Sequence, residues 1–196
     1  MTHLLFALFA YLLGSIPFGL LLTRMAGLGD VRNIGSGNIG ATNVLRTGRK
    51  DLALLTLLLD SGKGAIAVFI VALLTNGNQM VMAIAGAAAF IGHCFPLYLK
   101  FKGGKGVATF IGTLLGFNIA IMLVAGGLWL ATAAISRYSS LSALVMAGIT
   151  PFLFLVFGQF AFFGGSLVMT GLIFARHKPN ILRLLDGTEP KIGQKG

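Results

Sequence analysis

Long apolar stretches make up most of the chain, and short polar connections separate them. The stretches run at about 3–23, 52–75, 80–99, 107–135 and 141–175. A helix of roughly 20 apolar residues crosses the hydrocarbon layer of a membrane, so each of the first three stretches fits one span. The last two are long enough for a hairpin of two spans each, turning near residues 116–118 and 158–159. The pattern predicts an all-α integral membrane protein with seven transmembrane helices, some of them short.

Connections with and without basic residues alternate along the chain, and this alternation predicts an orientation in the membrane. Lys and Arg occur after the first, third, fifth and seventh predicted spans, whereas the segment 76–79 and both hairpin turns contain none. Among the Lys and Arg residues, only Lys63 falls within a predicted span. Because positively charged connections stay on the cytoplasmic side, we expect the amino terminus outside and the carboxyl terminus in the cytoplasm.

The composition agrees with one membrane-embedded domain over residues 1–196. Hydrophobic residues make up 56% of the chain and charged residues only 10%, whereas a soluble domain is about a quarter charged. The first apolar stretch is longer than a signal-peptide core and has no basic segment before it. We therefore expect it to remain as the first span.

The net charge of +10 does not by itself indicate a nucleic-acid partner. The basic residues lie in short connections, where they set topology, meet anionic lipids or bind anionic substrates. We expect no nucleic-acid partner, and nothing in the pattern indicates a protein partner. The single cysteine, Cys94, excludes an internal disulfide and a four-cysteine zinc site. No cluster of His and acidic residues suits a metal, so we expect neither metal nor cofactor.

The first basic connection contains a segment rich in Gly, Ser and Asn at residues 35–46. Small residues allow backbone N–H groups to converge on an oxyanion, and Ser36 and Thr42 add hydroxyl donors. Arg46 can contact a phosphate with two parallel hydrogen bonds. An ordinary glycine-rich loop with helix caps has a similar composition, so the pattern alone leaves both readings open. The Gly spacing of a nucleotide P-loop is absent.

Two further polar segments open apolar stretches. Residues 102–106 read Lys-Gly-Gly-Lys-Gly at the start of a predicted helix, where backbone amides and two lysines suit an anion. The alternative is a flexible basic turn on lipid head groups. The third set combines Arg137, the serines at 139–142 and the basic segment 176–183. The serines also suit helix capping. His177 lies between two cations, which favours its neutral form.

Asp60 and Lys63 are the charged residues inside an apolar stretch. They are three residues apart and share a helix face, so we interpret them as a structural ion pair that supports the site. His93 lies near a predicted helix end, where a packed or capping role is favoured over a catalytic one.

Together these segments resemble the PlsY-type family of bacterial acyl-phosphate:glycerol-3-phosphate acyltransferases. The similar stretches are SGNIGATNVLR at 36–46, DSGKG at 60–64, GHCFPLYLKFKGGKGVAT at 92–109, SLSA at 140–143 and RHKPNILRLLDGTEPK at 176–191. They cover every predicted cytoplasmic connection in order. The resemblance implies transfer of an acyl group from acyl phosphate to the 1-hydroxyl of glycerol 3-phosphate, giving lysophosphatidic acid and phosphate. It also implies a bacterial inner-membrane location with the active site at the cytoplasmic face.

The resemblance also assigns roles to individual residues. It implies catalytic roles for Ser36, Arg46, Lys105, His177 and Asn180. It also implies substrate-binding roles for Gly103, Gly104 and Gly106, with Ser142 as a further candidate for a polar contact. The composition of the first loop itself suggests such roles for Gly37, Asn38, Gly40, Thr42 and Asn43. Structural support is expected from Glu189 by the resemblance, and from Asp60 and Lys63 by their spacing on one helix face. The expected partners are acyl phosphate, glycerol 3-phosphate and membrane lipids.

The shortage of acidic residues and of a His-based dyad suggests direct attack by the substrate hydroxyl, without a covalent acyl-enzyme. An acyl phosphate has a good leaving group, so alignment of the reacting atoms supplies much of the acceleration. The competing hypothesis is a small transporter for a phosphorylated solute, with which several spans and the Asp60–Lys63 pair are also compatible. A transporter needs polar sites at both faces, whereas these segments cluster on one.

Overall fold

The computed structural model describes residues 2–193, and this part of the chain contains helices and turns but no strand. The predicted all-α class is therefore confirmed. The α-helices are α1 Thr2–Gly14, α2 Phe18–Met25, α3 Ala41–Val44, α4 Lys50–Leu74, α5 Gln79–Cys94, α6 Val107–Phe117, α7 Ile119–Ser136, α8 Ser139–Val156, α9 Phe160–Arg176 and α10 Lys178–Leu185. Short 3₁₀ turns lie at Val31–Asn33, Leu45–Thr47 and Leu97–Leu99.

Five helical segments within residues 2–193 are long and apolar enough to cross a membrane. They are His3–Met25, Lys50–Leu74, Gln79–Leu99, Ile119–Ser136 and Ser139–Val156. A sixth is reached if α9 and α10, which bend by 59° at their junction, count as one span. Helix α6 has only 11 residues, about 17 Å at the usual helical rise. Residues 2–193 thus form an all-helical membrane protein with five or six candidate apolar spans, and the seven-span count stays a prediction.

The helix ends agree with the predicted turns. Helix α6 gives way to α7 at Asn118, whose side-chain oxygen accepts hydrogen bonds from the first amides of α7. Helices α8 and α9 separate at residues 157–159. The first apolar stretch is broken between α1 and α2, where Pro17 has no N–H to continue the helical ladder.

Large apolar side chains cover the outside of the bundle. Leu73 is 80% exposed, Ile135 87% and Val156 80%. Apolar surface on this scale is unfavourable in water but suits lipid tails. The exposed side chains therefore mark the surface that faces the membrane.

Helix α5 packs against α1, α4, α6 and α9 and forms the centre of the bundle. Small residues allow the close contacts. A Cβ atom at Gly14 would overlap the backbone of Ala89, which brings α1 onto α5, and one at Gly112 would overlap the Ser61 carbonyl, which brings α6 onto α4. Close backbone approach of this kind is the usual means by which membrane helices associate.

Candidate active site

The three polar segments meet at one end of the bundle. The hydroxyls of Thr42 and Ser139 lie 3.5 Å apart, which connects the first segment to the start of α8. Lys105 contacts Asn180, which connects the second segment to the third. The predicted clustering of the polar segments is therefore present in the fold.

Asn43 organises the first loop. Its buried side-chain oxygen accepts hydrogen bonds from the Ser36 amide at 3.0 Å and the Ser36 hydroxyl at 3.4 Å. Its amide nitrogen donates to the carbonyls of Val31, Ile34 and Asn38. The Asn43 side chain thus fixes the loop that carries Ser36, and Ser36 itself is exposed.

Arg46 lies against this loop without an acidic partner. The Arg46 side chain lies against Gly35, so close that a Cβ atom at Gly35 would overlap it. Gly35 also has a positive φ of 53°. Among residues 2–193, Arg46 belongs to no ion pair, whereas the neighbouring Arg32 and Arg49 pair with Asp30 and Asp51 at 2.6 Å. The loop therefore holds an uncompensated guanidinium beside Ser36.

The glycine-rich loop is fixed from two sides. The amides of Gly103 and Gly104 donate to the carbonyls of Cys94 and His93, at the end of α5. The carbonyls of the same two glycines accept hydrogen bonds of 2.7 and 3.0 Å from the guanidinium of Arg176. A trans peptide directs its N–H away from its carbonyl, so the Lys105 amide points away from Arg176.

Lys105 ends this loop beside a buried polar network. Its ammonium donates to Asn180 Oδ1 at 2.6 Å, and Asn180 Nδ2 donates to Glu189 Oε1 at 2.6 Å. Glu189 also accepts from Ser140 Oγ and from Arg183 Nε, both at 2.7 Å. The carboxylate thus orients the Asn180 amide so that its oxygen faces Lys105.

The electrostatics of this network suit an anion. Burial lowers the pKa of Lys105 to about 8; Glu189 opposes this shift, and Arg183, Arg176 and Arg46 add to it. Lys105 is still mostly protonated at neutral pH. Burial raises the pKa of Glu189, but hydrogen bonds from Ser140, Asn180 and Arg183 outweigh it, and the net shift is downward.

His177 follows α9 and is buried. Its Nδ1 lies 2.8 Å from the Ile173 carbonyl, and because a carbonyl only accepts, Nδ1 carries the proton and Nε2 is an acceptor. Burial, followed by the charge of Lys105, lowers the His177 pKa to about 4. The imidazole is therefore neutral at pH 7, as its position between two cations predicts.

Asp60 and Lys63 form the expected ion pair, with 2.7 Å between Lys63 Nζ and Asp60 Oδ1. Helix α4 continues through both residues without interruption. His93 Nδ1 lies 3.6 Å from the same carboxylate oxygen, so His93 is packed within the bundle, as interpreted from the sequence.

The comparisons with known proteins agree with this geometry. Residues 4–187 match the family model described as glycerol-3-phosphate acyltransferase. The chain belongs to the glycerol-3-phosphate acyltransferase family. It is 59% identical over 186 residues to a glycerol-3-phosphate acyltransferase of Caulobacter vibrioides, covering 94% of this chain and 85% of that protein. It is 60% identical over 187 residues to one of Paramagnetospirillum magneticum, covering 94% and 91%.

Solved structures of the family have the same fold. The crystal structure of PlsY, an integral membrane glycerol 3-phosphate acyltransferase, in its glycerol 3-phosphate form has a TM-score of 0.93 and 37% identity. It covers 98% of this chain and 96% of that one. The lysophosphatidic acid form has a TM-score of 0.91 and 36% identity, with the same coverage. The resemblance inferred from the sequence is confirmed.

Not every expected acyltransferase residue lies open to a substrate. Ser142 is fully buried, and its hydroxyl donates to the Tyr138 carbonyl at 2.8 Å. The side-chain hydrogen bonds of Asn43 are all made to backbone and side-chain groups of its own loop. Gly37 and Gly40 lie in the turn before α3. Substrate contacts by these residues stay predictions.

Sequence reasoning did not assign roles to Arg176 and Ser140. In the sequence, Arg176 is only one of several positive charges in the last connection, yet in the structure it binds the two carbonyls of the glycine-rich loop. Ser140 is one of several residues suited to helix capping, yet its hydroxyl donates to Glu189. Neither role has a local signal, because each partner is tens of residues away.

Proposed function

We propose that this acyltransferase uses acyl phosphate as donor and acylates the 1-hydroxyl of glycerol 3-phosphate, giving lysophosphatidic acid and phosphate. The observation that carries the proposal is that two glycine-rich loops meet at one end of the bundle and each carries a cation, Arg46 or Lys105, with no carboxylate within salt-bridge distance among residues 2–193. Two phosphorylated substrates need two such anion sites.

The loop of Lys105 suits the donor phosphate. It leads into α6, whose first amides have no partner in the helical ladder and so favour an anion. Gly106 adopts a φ of 84° directly before this helix, a conformation that glycine takes without strain. The ammonium of Lys105 then offsets the charge that the departing phosphate gains.

The Arg46 loop suits the phosphate of glycerol 3-phosphate. The guanidinium can form two parallel hydrogen bonds with phosphate oxygens, and Ser36 lies exposed on the same loop. His177 Nε2 then orients the substrate beside Lys105, and Asn180, which is bonded to both Lys105 and Glu189, holds the ammonium in place. These roles agree with those expected from the family resemblance.

The reaction needs no acyl-enzyme in this scheme. The 1-hydroxyl oxygen attacks the carbonyl carbon, the bond between that carbon and the phosphate oxygen breaks, and phosphate leaves with the electron pair. The hydroxyl proton passes to the departing phosphate. Since His177 is neutral and its Nδ1 is engaged by a backbone carbonyl, alignment and charge stabilisation provide the acceleration.

An apolar groove beside the site suits a lipid substrate. It is an open surface groove of about 470 Å³, lined by Leu141, Leu144, Val145, Gly148, Ile149, Phe174 and Ile181. Leu141 follows Ser140, and Ile181 follows Asn180, so the groove begins next to the polar network. An acyl tail placed there leaves its phosphate near Lys105.

The proposed location is the bacterial inner membrane, with the amino terminus outside and the site at the cytoplasmic face. Its support is the alternation of basic and uncharged connections and the clustering of the polar segments at one end of the bundle. A cysteine placed at residue 77 and one at residue 50 should react with an impermeant thiol reagent from opposite sides of sealed vesicles.

The test of the reaction is product formation by purified protein in detergent. Glycerol 3-phosphate is supplied with acyl phosphate, acyl-CoA or acyl-carrier protein in parallel. Lysophosphatidic acid from acyl phosphate alone is the expected result. Activity only with a thioester would keep the acyltransferase and overturn the proposed donor. Acyl transfer to Ser36 or Cys94 in a single turnover would overturn direct attack.

A further inference from the structure

A buried polar cluster lies directly behind the glycine-rich loop and takes no part in the chemistry above. It consists of Asp60, Lys63 and His93, each at most 4% exposed. Lys63 contacts Asp60 at 2.7 Å and donates to the Ile16 carbonyl at 2.8 Å. That carbonyl lies at the break between α1 and α2. The cluster thus connects the break between α1 and α2 with α4 and α5.

His93 continues this connection to the loop. A Cβ atom at Gly104 would overlap His93 Nε2, and its next nearest neighbours, at 3.0 Å, are two further atoms of the same ring. The imidazole therefore lies against the Cα atom of Gly104. The His93 carbonyl also accepts the Gly104 amide at 3.1 Å. On the other side of the loop, Arg176 binds the Gly104 carbonyl at 3.0 Å.

Asp60 faces one side of the ring, with its Oδ1 3.6 Å from His93 Nδ1. Because a carboxylate attracts an N–H and repels a nitrogen lone pair, this placement favours the tautomer with the proton on Nδ1. Nε2 is then the unprotonated nitrogen that faces Gly104. An apolar side chain would fill the same space without the cost of burying polar groups, so filling space does not explain the cluster.

We propose that His93, held by Asp60 and Lys63, is a positioning residue for the glycine-rich loop. Its imidazole sets the place of the Gly104 peptide, and through it the place of Lys105 and of the amides that precede α6. The inference rests on the proposed function in one respect only, namely that this loop binds the donor phosphate.

The test is a size exchange across the contact. Gly104→Ala introduces a methyl group whose three nearest neighbours are ring atoms of His93. Gly104 is not in the left-handed region, so its backbone accepts alanine. We expect Gly104→Ala alone to lose most of its activity and His93→Ala alone to raise KM for acyl phosphate more than for glycerol 3-phosphate. The double variant should be at least about tenfold more active than Gly104→Ala alone, because the effects of substitutions at two contacting residues are not additive.

Gly103→Ala is the matched control. Its methyl group would meet the His93 carbonyl, Pro96 and the Cys94 carbonyl, none of which His93→Ala removes. Rescue should therefore occur for Gly104 and not for Gly103. A double variant no more active than the product of the single effects, or equal rescue of both glycines, would overturn the proposal.

Two further readouts keep the outcome decisive. If Gly104→Ala does not fold, His93→Asn is measured instead; we expect KM for the donor to rise about fivefold or more with KM for glycerol 3-phosphate nearly unchanged, and an unchanged donor KM would refute the role. Wild-type protein is assayed beside the variants. If it uses only a thioester, the proposed donor fails, and the rescue is scored with that thioester and by the thermal stabilisation that inorganic phosphate provides.

Discussion

Replacing Arg46 by lysine separates the role of the guanidinium fork from that of its charge. Arg46 has no ion pair among residues 2–193 and lies against the glycine-rich turn at Gly35. The substitution keeps the positive charge and breaks no salt bridge of the described residues. We expect the folded protein to persist and catalysis to fail, because a point charge cannot replace two parallel hydrogen bonds.

The magnitude follows from the contacts that are lost. A hydrogen bond to a charged group contributes about 1.5–3 kcal/mol, and lysine retains at most one of the two that the fork supplies. A loss of about 1.5–3 kcal/mol corresponds to a fall in kcat/KM for glycerol 3-phosphate of about 10- to 150-fold. The midpoint of thermal unfolding should stay close to that of the wild type.

The assay measures lysophosphatidic acid at varied glycerol 3-phosphate with saturating acyl phosphate, and unfolding in the same detergent. Arg49→Lys is the matched control, since Arg49 is three residues away and exposed, and pairs with the exposed Asp51. Such surface pairs contribute little, so this variant should keep near-normal activity. Near-normal turnover by Arg46→Lys, or equal losses in both variants, would refute the assignment of Arg46 to phosphate.

Three further predictions follow from the site and the packing. The pKa of Lys105, near 8, should make kcat/KM for the donor fall about tenfold per pH unit above pH 8, and Lys105→Arg should remove that fall. Because this pKa lies below the ordinary 10.5, the same group makes the free energy of unfolding rise between pH 8 and 10.5; a parallel loss of stability would contradict the assignment. Glu189→Gln should leave one of the hydrogen-bond donors around residue 189 without an acceptor and lower the free energy of unfolding by about 1–3 kcal/mol, measured by thermal unfolding. Wild-type activity and stability in this variant would contradict the network. Gly112→Ala should destabilise the protein by about 1–3 kcal/mol through overlap between α4 and α6, measured by thermal unfolding, whereas Gly126→Ala, with open space around it, should have no such effect.

The sequence by itself determined the class of protein, the apolar segments and the polar segments that form the site. Spans and turns are readable because lipid imposes the same local requirement, an unbroken run of apolar residues, on every crossing helix. The Asp60–Lys63 pair was also predictable, since residues three apart share a helix face.

Only the tertiary structure decided which polar groups of the candidate site are bonded to other segments and hold the site together. Asn43 has the residue type of a phosphate ligand, yet its amide is bonded to its own loop. Arg176 has the charge of a phosphate ligand, yet it binds carbonyls 72 and 73 residues away in sequence. His93 lies behind Gly104 because α5 ends there. A hydrogen-bond partner depends on how distant segments pack, and neither composition nor spacing encodes that packing locally.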